Sequence, residues 1–169
     1  MEHSSRALSI PTTRRAWLLG AALPLAVGIA GGCGGNPPPV RFLLEAVVSR
    51  RANLNSPVPI AVVAATDQKL FEKILAMNAK QWFEQRDQLR RDYPGGVAFT
   101  EWEWEFVPGQ APPLTVIEVD GRSAGAVIFA NYRTPGDHRL RIGPQRKLRI
   151  ELGDDDFAVT PLIITDGSR

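Results

Sequence analysis

The residues whose types could carry chemistry are few and scattered. Gly121-Arg122-Ser123-Ala124-Gly125 has the G-x-S-x-G spacing that puts a serine nucleophile on a strained turn between a strand and a helix. A strand precedes it here. The residues after it, AVIFANY, read as a further strand, so the motif is expected to be a tight turn. Past residue 32 the one histidine is His138, directly after Asp137. Chain neighbours do not readily supply both the acid and the base of a triad. A single histidine does not build a metal site. Asp154-Asp155-Asp156 lacks calcium-loop spacing and reads as a solvated acidic turn. No glycine-rich phosphate loop follows a strand and opens a helix. The expectation is a protein with no enzyme activity, no cofactor and no metal.

Two other constellations carry more. Val97–Val107 alternates Trp102, Trp104 and Phe106 with Glu101, Glu103 and Glu105. In a strand, successive side chains point to opposite faces, so the aromatics share one face and the glutamates the other. A core face opposite a solvated one is the reading adopted; a sugar-stacking surface is the alternative. Like charges on one face repel, so a neighbouring strand should offer cations. Phe99 does not fit the alternation and predicts a bulge or a late strand start.

Cys33 is the only cysteine, so no internal disulfide exists. Before it come arginines within residues 1–15, then an uncharged run, AWLLGAALPLAVGIA, and then Ala30-Gly31-Gly32. This order is that of a secretory signal peptide over residues 1–32. The whole uncharged stretch from Ala16 to Val40 is long enough to span a bilayer, but its glycines and Pro37-Pro38-Pro39 break the helix that would have to do so. Ala30-Gly31-Gly32-Cys33 resembles the bacterial lipobox, with Ala30 where leucine is usual. It marks Cys33 for lipidation, and a resulting palmitate-bearing anchor of two or more chains holds stably. Arg14-Arg15 suits either the general secretory route or the twin-arginine route. Gly34 is not the aspartate that resembles an inner-membrane retention signal, so the expected location is the outer membrane, on its periplasmic face.

These features need a frame to position them. The formal charge of +2 belongs to the leader: Arg6, Arg14 and Arg15 outweigh Glu2 there, and the rest of the chain balances. A nucleic-acid binder usually shows a basic excess in its folded part, and none exists here. Residues 33–39 are the lipidated cysteine and a Gly/Pro linker. Residues 40–165 are expected to form one domain. Strands are read at Val40–Val48, Val58–Ala65, Val97–Val107, Leu114–Val119, Ala126–Arg133, Arg139–Ile142, Lys147–Leu152 and Phe157–Ile164. Pro59 puts the second near an edge or at a strand start. One amphipathic helix, 67–91, starts at Asp67 and ends before Pro94-Gly95-Gly96. Asp120-Gly121 suits a hairpin turn. The fold class is mainly β: a two-sheet sandwich with one inserted helix.

The order of these pieces resembles the outer-membrane lipoprotein of the bacterial type VI secretion system. The matching pieces are the lipobox; Asn55-Ser56-Pro57-Val58; Leu70-Phe71 opening the helix; Pro108-Gly109; and Ala130-Asn131-Tyr132-Arg133 before His138-Arg139-Leu140-Arg141. Together they cover about residues 30–142. The resemblance implies a transthyretin-like β-sandwich and no catalysis. It implies an anchor that tethers the periplasmic domain of an inner-membrane secretion subunit to the outer membrane. The contact would run through the loop Ser49–Pro57, with Arg50, Arg51, Asn53 and Asn55 as partner-binding residues. Arg50, Arg51 and Asn53 look exposed. The chain departs from the family at Leu140, where tryptophan is usual, and in the shortness of the loop. A generic periplasmic ligand- or glycan-binding lipoprotein using Trp102 and Trp104 is the alternative function.

Overall fold

The computed structural model describes residues 35–163. The leader, Cys33 and the last residues of the tail lie outside them. Eight strands follow one another: β1 Val40–Val48, β2 Val58–Ala65, β3 Phe99–Phe106, β4 Thr115–Val119, β5 Gly125–Ala130, β6 Arg139–Arg141, β7 Lys147–Leu152 and β8 Phe157–Pro161. They form two four-stranded sheets, ordered β4-β1-β7-β8 and β3-β2-β5-β6. β1 and β7 run parallel, and every other pair is antiparallel. The two-sheet sandwich expected from the strand pattern is present.

The alternating residues of β1 explain its place. Phe42, Leu44 and Val48 face inward and join Ile117, Leu148, Ile150 and Leu152 from their own sheet and Ile60, Val62 and Ile128 from the other. β2 is buried on both faces. Val58, Ile60, Val62 and Ala64 enter the sandwich, while Ala61, Val63 and Ala65 turn to a second core beneath the helices. Pro59 lies one residue into this central strand, at its start rather than on an edge.

Where one helix was expected, two are found, α2 Gln68–Leu75 and α3 Ala79–Asp92, after a single turn α1 at Ala52–Asn55. Asp67 caps α2, accepting from the Leu70 N–H at 2.8 Å. The break has a clear cause. Asn78 leaves helical geometry and caps α3 reciprocally with Gln81, at 2.8 and 2.9 Å. The first turn of α3 is held by the Ala79 N–H donating to the Asp137 carbonyl at 2.8 Å. Trp82, fully buried, stacks on Phe129 at 5.3 Å between ring centroids. The Phe71 ring lies so close over Gly125 that a Cβ there would collide with it.

Three local expectations are corrected. β3 pairs with β2 in unbroken register from Phe106 to Phe99, so there is no bulge; of the two alternatives it is the late start that holds, at Phe99 rather than Val97. Phe99 shares the glutamate side, which is apolar at that end because helix α3 covers it. The cations facing the glutamates come from α3 and not from a strand: Arg86 pairs with Glu103, and Arg90 with Glu101 and Glu103. The Glu101 hydrogen bond is the main cause holding the Arg90 guanidinium above its ordinary pKa. Finally, β4 pairs with β1 and β5 with β2, so Asp120–Ala124 is a corner that carries the chain from one sheet to the other, not a hairpin.

Candidate functional site

The strand directions give the sandwich two unlike ends. The linker enters at Val40, beside Val119, the Asp120–Ala124 corner and the start of β3. Nine residues of β1 then carry the chain ~30 Å to the opposite end. There the loops 49–57, 107–110, 131–138 and 153–156 come together.

Ser49–Pro57 is tied into this end by its own small side chains. The Ser49 hydroxyl donates to Asp154 Oδ1 at 2.8 Å and accepts from the Arg51 N–H at 3.1 Å. The Ser49 carbonyl accepts from Gly109 N–H at 3.0 Å. Arg51 reaches Asp154 Oδ2 at 2.8 Å with its side chain still largely in solvent. Asn53, Leu54 and Asn55 all adopt left-handed backbone, with φ of 50°, 54° and 58°. Asparagine tolerates this region; a branched aliphatic residue does so only when its surroundings hold it there. The effect is to present Leu54, 60% exposed, at the tip.

The four predicted partner residues divide. Arg50, Arg51 and Asn55 are exposed around Leu54. Asn53 is buried, contrary to its expected exposure. Its amide nitrogen donates to the Pro57 carbonyl at 2.7 Å, and its side-chain oxygen accepts from the Arg133 N–H at 2.6 Å. It shapes the loop from beneath. Leu54 was missed by sequence reasoning; the only signal was a large apolar residue inside a polar loop.

His138 underpins the same end. It is buried, with φ of 42°, and stacks on Tyr132 at 5.1 Å. Nε2 lies 2.8 Å from the Thr134 carbonyl, and Nδ1 lies 2.8 Å from Asp156 Oδ1. A carbonyl only accepts, so Nε2 carries a hydrogen. The Tyr132 hydroxyl donates to the Gly153 carbonyl at 3.1 Å. Burial, and then the charges of Asp156, Asp154 and Asp155, hold its ionisation well above the usual tyrosine range. Two carboxylates of the acidic turn therefore serve the fold: Asp154 with Ser49 and Arg51, and Asp156 with His138.

The candidate chemistry elsewhere dissolves in this geometry. Ser123 sits in the corner at the linker end, its N–H donating to the Asp120 carbonyl at 2.9 Å, and a strand follows it. His138 lies at the far end of β5 with both ring nitrogens engaged, so the two do not meet. Asp120 is held by Arg122, whose side-chain hydrogen bonds are the main cause lowering its pKa to about 2. Among the described residues no three histidine, cysteine or carboxylate groups converge on a metal site. Trp102 and Trp104 are half-buried and pack against the core between the sheets, so their faces are not a solvent-facing platform.

No protein-family model matches the chain, and no characterised protein matches it by sequence. Solved structures share its fold. The type VI secretion lipoprotein TssJ1 from Pseudomonas aeruginosa aligns over 76% of this chain and 100% of its own, at 18% identity and a TM-score of 0.53. Serratia marcescens Lip, a membrane-bound component of the type VI secretion system, aligns over 75% of this chain and 99% of its own, at 14% identity and a TM-score of 0.54. A chain of a structure described as the type VI secretion protein TssM C-terminal domain, from EAEC, aligns over 75% and 100%, at 13% identity and a TM-score of 0.51. At these identities the likeness is one of fold.

Proposed function

We propose that this chain is a lipid-anchored subunit of a type VI secretion membrane complex, and that it tethers the periplasmic domain of an inner-membrane subunit to the outer membrane. The observation that carries the reading is the fold shared with a type VI secretion lipoprotein and with a membrane-bound type VI secretion component over essentially their whole lengths. The sequence supports it independently, because the lipobox at Cys33 comes directly before the Gly/Pro linker. No helix among the described residues is long and apolar enough to cross a membrane.

The domain's two ends then take two jobs. The linker end faces the outer membrane. The loop Ser49–Pro57, ~30 Å away, faces the periplasm and offers Arg50, Arg51, Leu54 and Asn55 to the partner. Arginine suits an interface because its planar guanidinium both stacks and bridges carboxylates. Asn53 contributes by pinning the loop. The role is structural rather than enzymatic, as the separation of Ser123 from His138 favours.

The test uses the full chain in cells. Radiolabelled palmitate enters the wild type and not Cys33→Ser, and the labelled protein fractionates with the outer membrane and co-isolates with the inner-membrane subunit. Equal labelling of both chains, or fractionation with the inner membrane, overturns the reading.

A further inference from the structure

The linker end of the sandwich differs chemically from the loop end. Val97, 69% exposed, and Tyr93 stand in the segment between α3 and β3, and Ile163, 83% exposed, follows β8. Pairing places all three at one end. Phe99 opposes Ala65, Ala65 opposes Gly125, and Pro161 opposes Leu148 beside Leu44 midway along β1, from where the chain runs on through Ile163 toward the start of β1. The Thr66 hydroxyl donates to the Val97 carbonyl at 2.8 Å, which holds the segment against the end of β2.

Cations surround these residues. Arg91 lies in the last turn of α3, before Asp92, which accepts from Gln88; Arg141 ends β6; Lys147 opens β7 and Arg146 precedes it, its carbonyl accepting from the Leu43 N–H at 2.7 Å. None of the four forms an ion pair among the described residues, whereas three nearby carboxylates do. Glu118 pairs with Arg41, Asp120 with Arg122 and Glu101 with Arg90. Asp67 caps α2. Arg141 lies over the Phe71 ring at 5.1 Å and Arg91 donates to Gln88, so the end is apolar and aromatic with positive charge that no carboxylate neutralises, the composition that settles at a bilayer interface.

The tether brings that surface to a bilayer. The Pro37 and Pro38 carbonyls lie against Gly121, where a Cβ would collide with them. Only three residues, Gly34 to Asn36, remain between this contact and Cys33, ~10 Å of extended chain. That tether is a little longer than the ~8 Å Debye length at physiological salt, so the charges act on the lipid surface once the short tether lets this end settle against it.

We infer that the end of the domain bearing Tyr93, Val97, Ile163, Arg141, Arg146 and Lys147 is a second membrane contact that docks on anionic lipid headgroups and stands the sandwich upright, with loop Ser49–Pro57 facing away. The inference rests on lipid attachment at Cys33. One footing and one tether restrict tilt, which a single tether does not.

The experiment reconstitutes the mature lipidated chain in vesicles of phosphatidylethanolamine with or without phosphatidylglycerol. Cys33 is blocked by lipid, so Val97→Cys or Leu54→Cys provides one thiol for a dye. Nitroxide-bearing lipid quenches the Val97→Cys dye at least several-fold more than the Leu54→Cys dye. The contrast falls by at least half without phosphatidylglycerol or in Arg146→Glu/Lys147→Glu. Equal quenching at both positions, or a Val97→Cys dye left unquenched, overturns the inference. Protection of that dye only at high protein-to-lipid ratio marks a second copy of the chain and also overturns it. Mass analysis of Cys33 separates the two failures: an unlipidated cysteine removes the tether reading and this inference with it, and a lipidated one with an unquenched dye removes the inference alone.

Discussion

Asn53 holds Arg133 across the end of the sandwich: the side-chain oxygen of one accepts the backbone N–H of the other at 2.6 Å. Through this bond the loop between β1 and β2 is fixed to the segment after β5. The same asparagine satisfies the Pro57 carbonyl and occupies left-handed backbone that most residues resist. The shape of the candidate partner loop thus depends on a side chain the partner does not reach.

Asn53→Ala leaves the Arg133 N–H and the Pro57 carbonyl unpaired and places alanine in left-handed backbone. It should lower stability by about 1–3 kcal/mol. Asn53→Gly removes the hydrogen bonds but accepts the backbone, and should cost less. Urea unfolding midpoints check the order. An alanine variant as stable as wild type contradicts it.

Trp82 should matter more to stability than Trp104. Trp82 is enclosed by Phe129 and Phe99, and Trp82→Ala should cost about 3–5 kcal/mol. Its indole nitrogen has no hydrogen-bond partner among the described residues, so Trp82→Phe, which keeps an aromatic ring and loses no bond, should cost clearly less than Trp82→Ala. Trp104 lies on an edge strand and is half-buried, and its alanine variant should fall between the two. Equal midpoints for Trp82→Ala and Trp104→Ala would refute this ranking.

The fold was readable where it depends on local alternation, and less so where it depends on which elements meet. The period of Trp102, Trp104 and Phe106 correctly placed them on one face. Their incomplete burial follows from β3 being an edge strand, which its own residues do not encode. The helical stripe over 67–91 was legible, but Asn78 acts as a cap only because Gln81 answers it and Asp137 receives Ala79. Asp120-Gly121 carries turn chemistry that serves a hairpin or a corner between sheets equally well. Asn53 looked exposed because short polar residues in a polar loop usually are; its burial comes from Arg133, distant in sequence.

Tyr132 makes stability sensitive to alkali. Its phenol ionises near pH 10 in the unfolded chain and well above that when folded. A folded-state pKa that is raised contributes stability fully present below the unfolded value and lost as pH rises past it. Wild-type unfolding midpoints should therefore hold to about pH 9 and fall progressively from about pH 10 upward. Tyr132→Phe should be less stable at neutral pH by about 1 kcal/mol, from the lost bond to Gly153, and should show a shallower alkaline fall. Parallel profiles would count against it.

The loop's role is tested most directly by calorimetric titration of the inner-membrane subunit's periplasmic domain into the mature chain. Arg50→Ala/Arg51→Ala should leave the stability within about 0.5 kcal/mol of wild type, because the Arg51 side chain is largely in solvent and Asp154 keeps its hydrogen bond from Ser49. The double variant should weaken binding by about 1–4 kcal/mol, and Leu54→Ser should weaken it by at least about 1 kcal/mol. Unchanged affinity in both variants, with the fold intact, contradicts the assignment of Ser49–Pro57 as the partner contact.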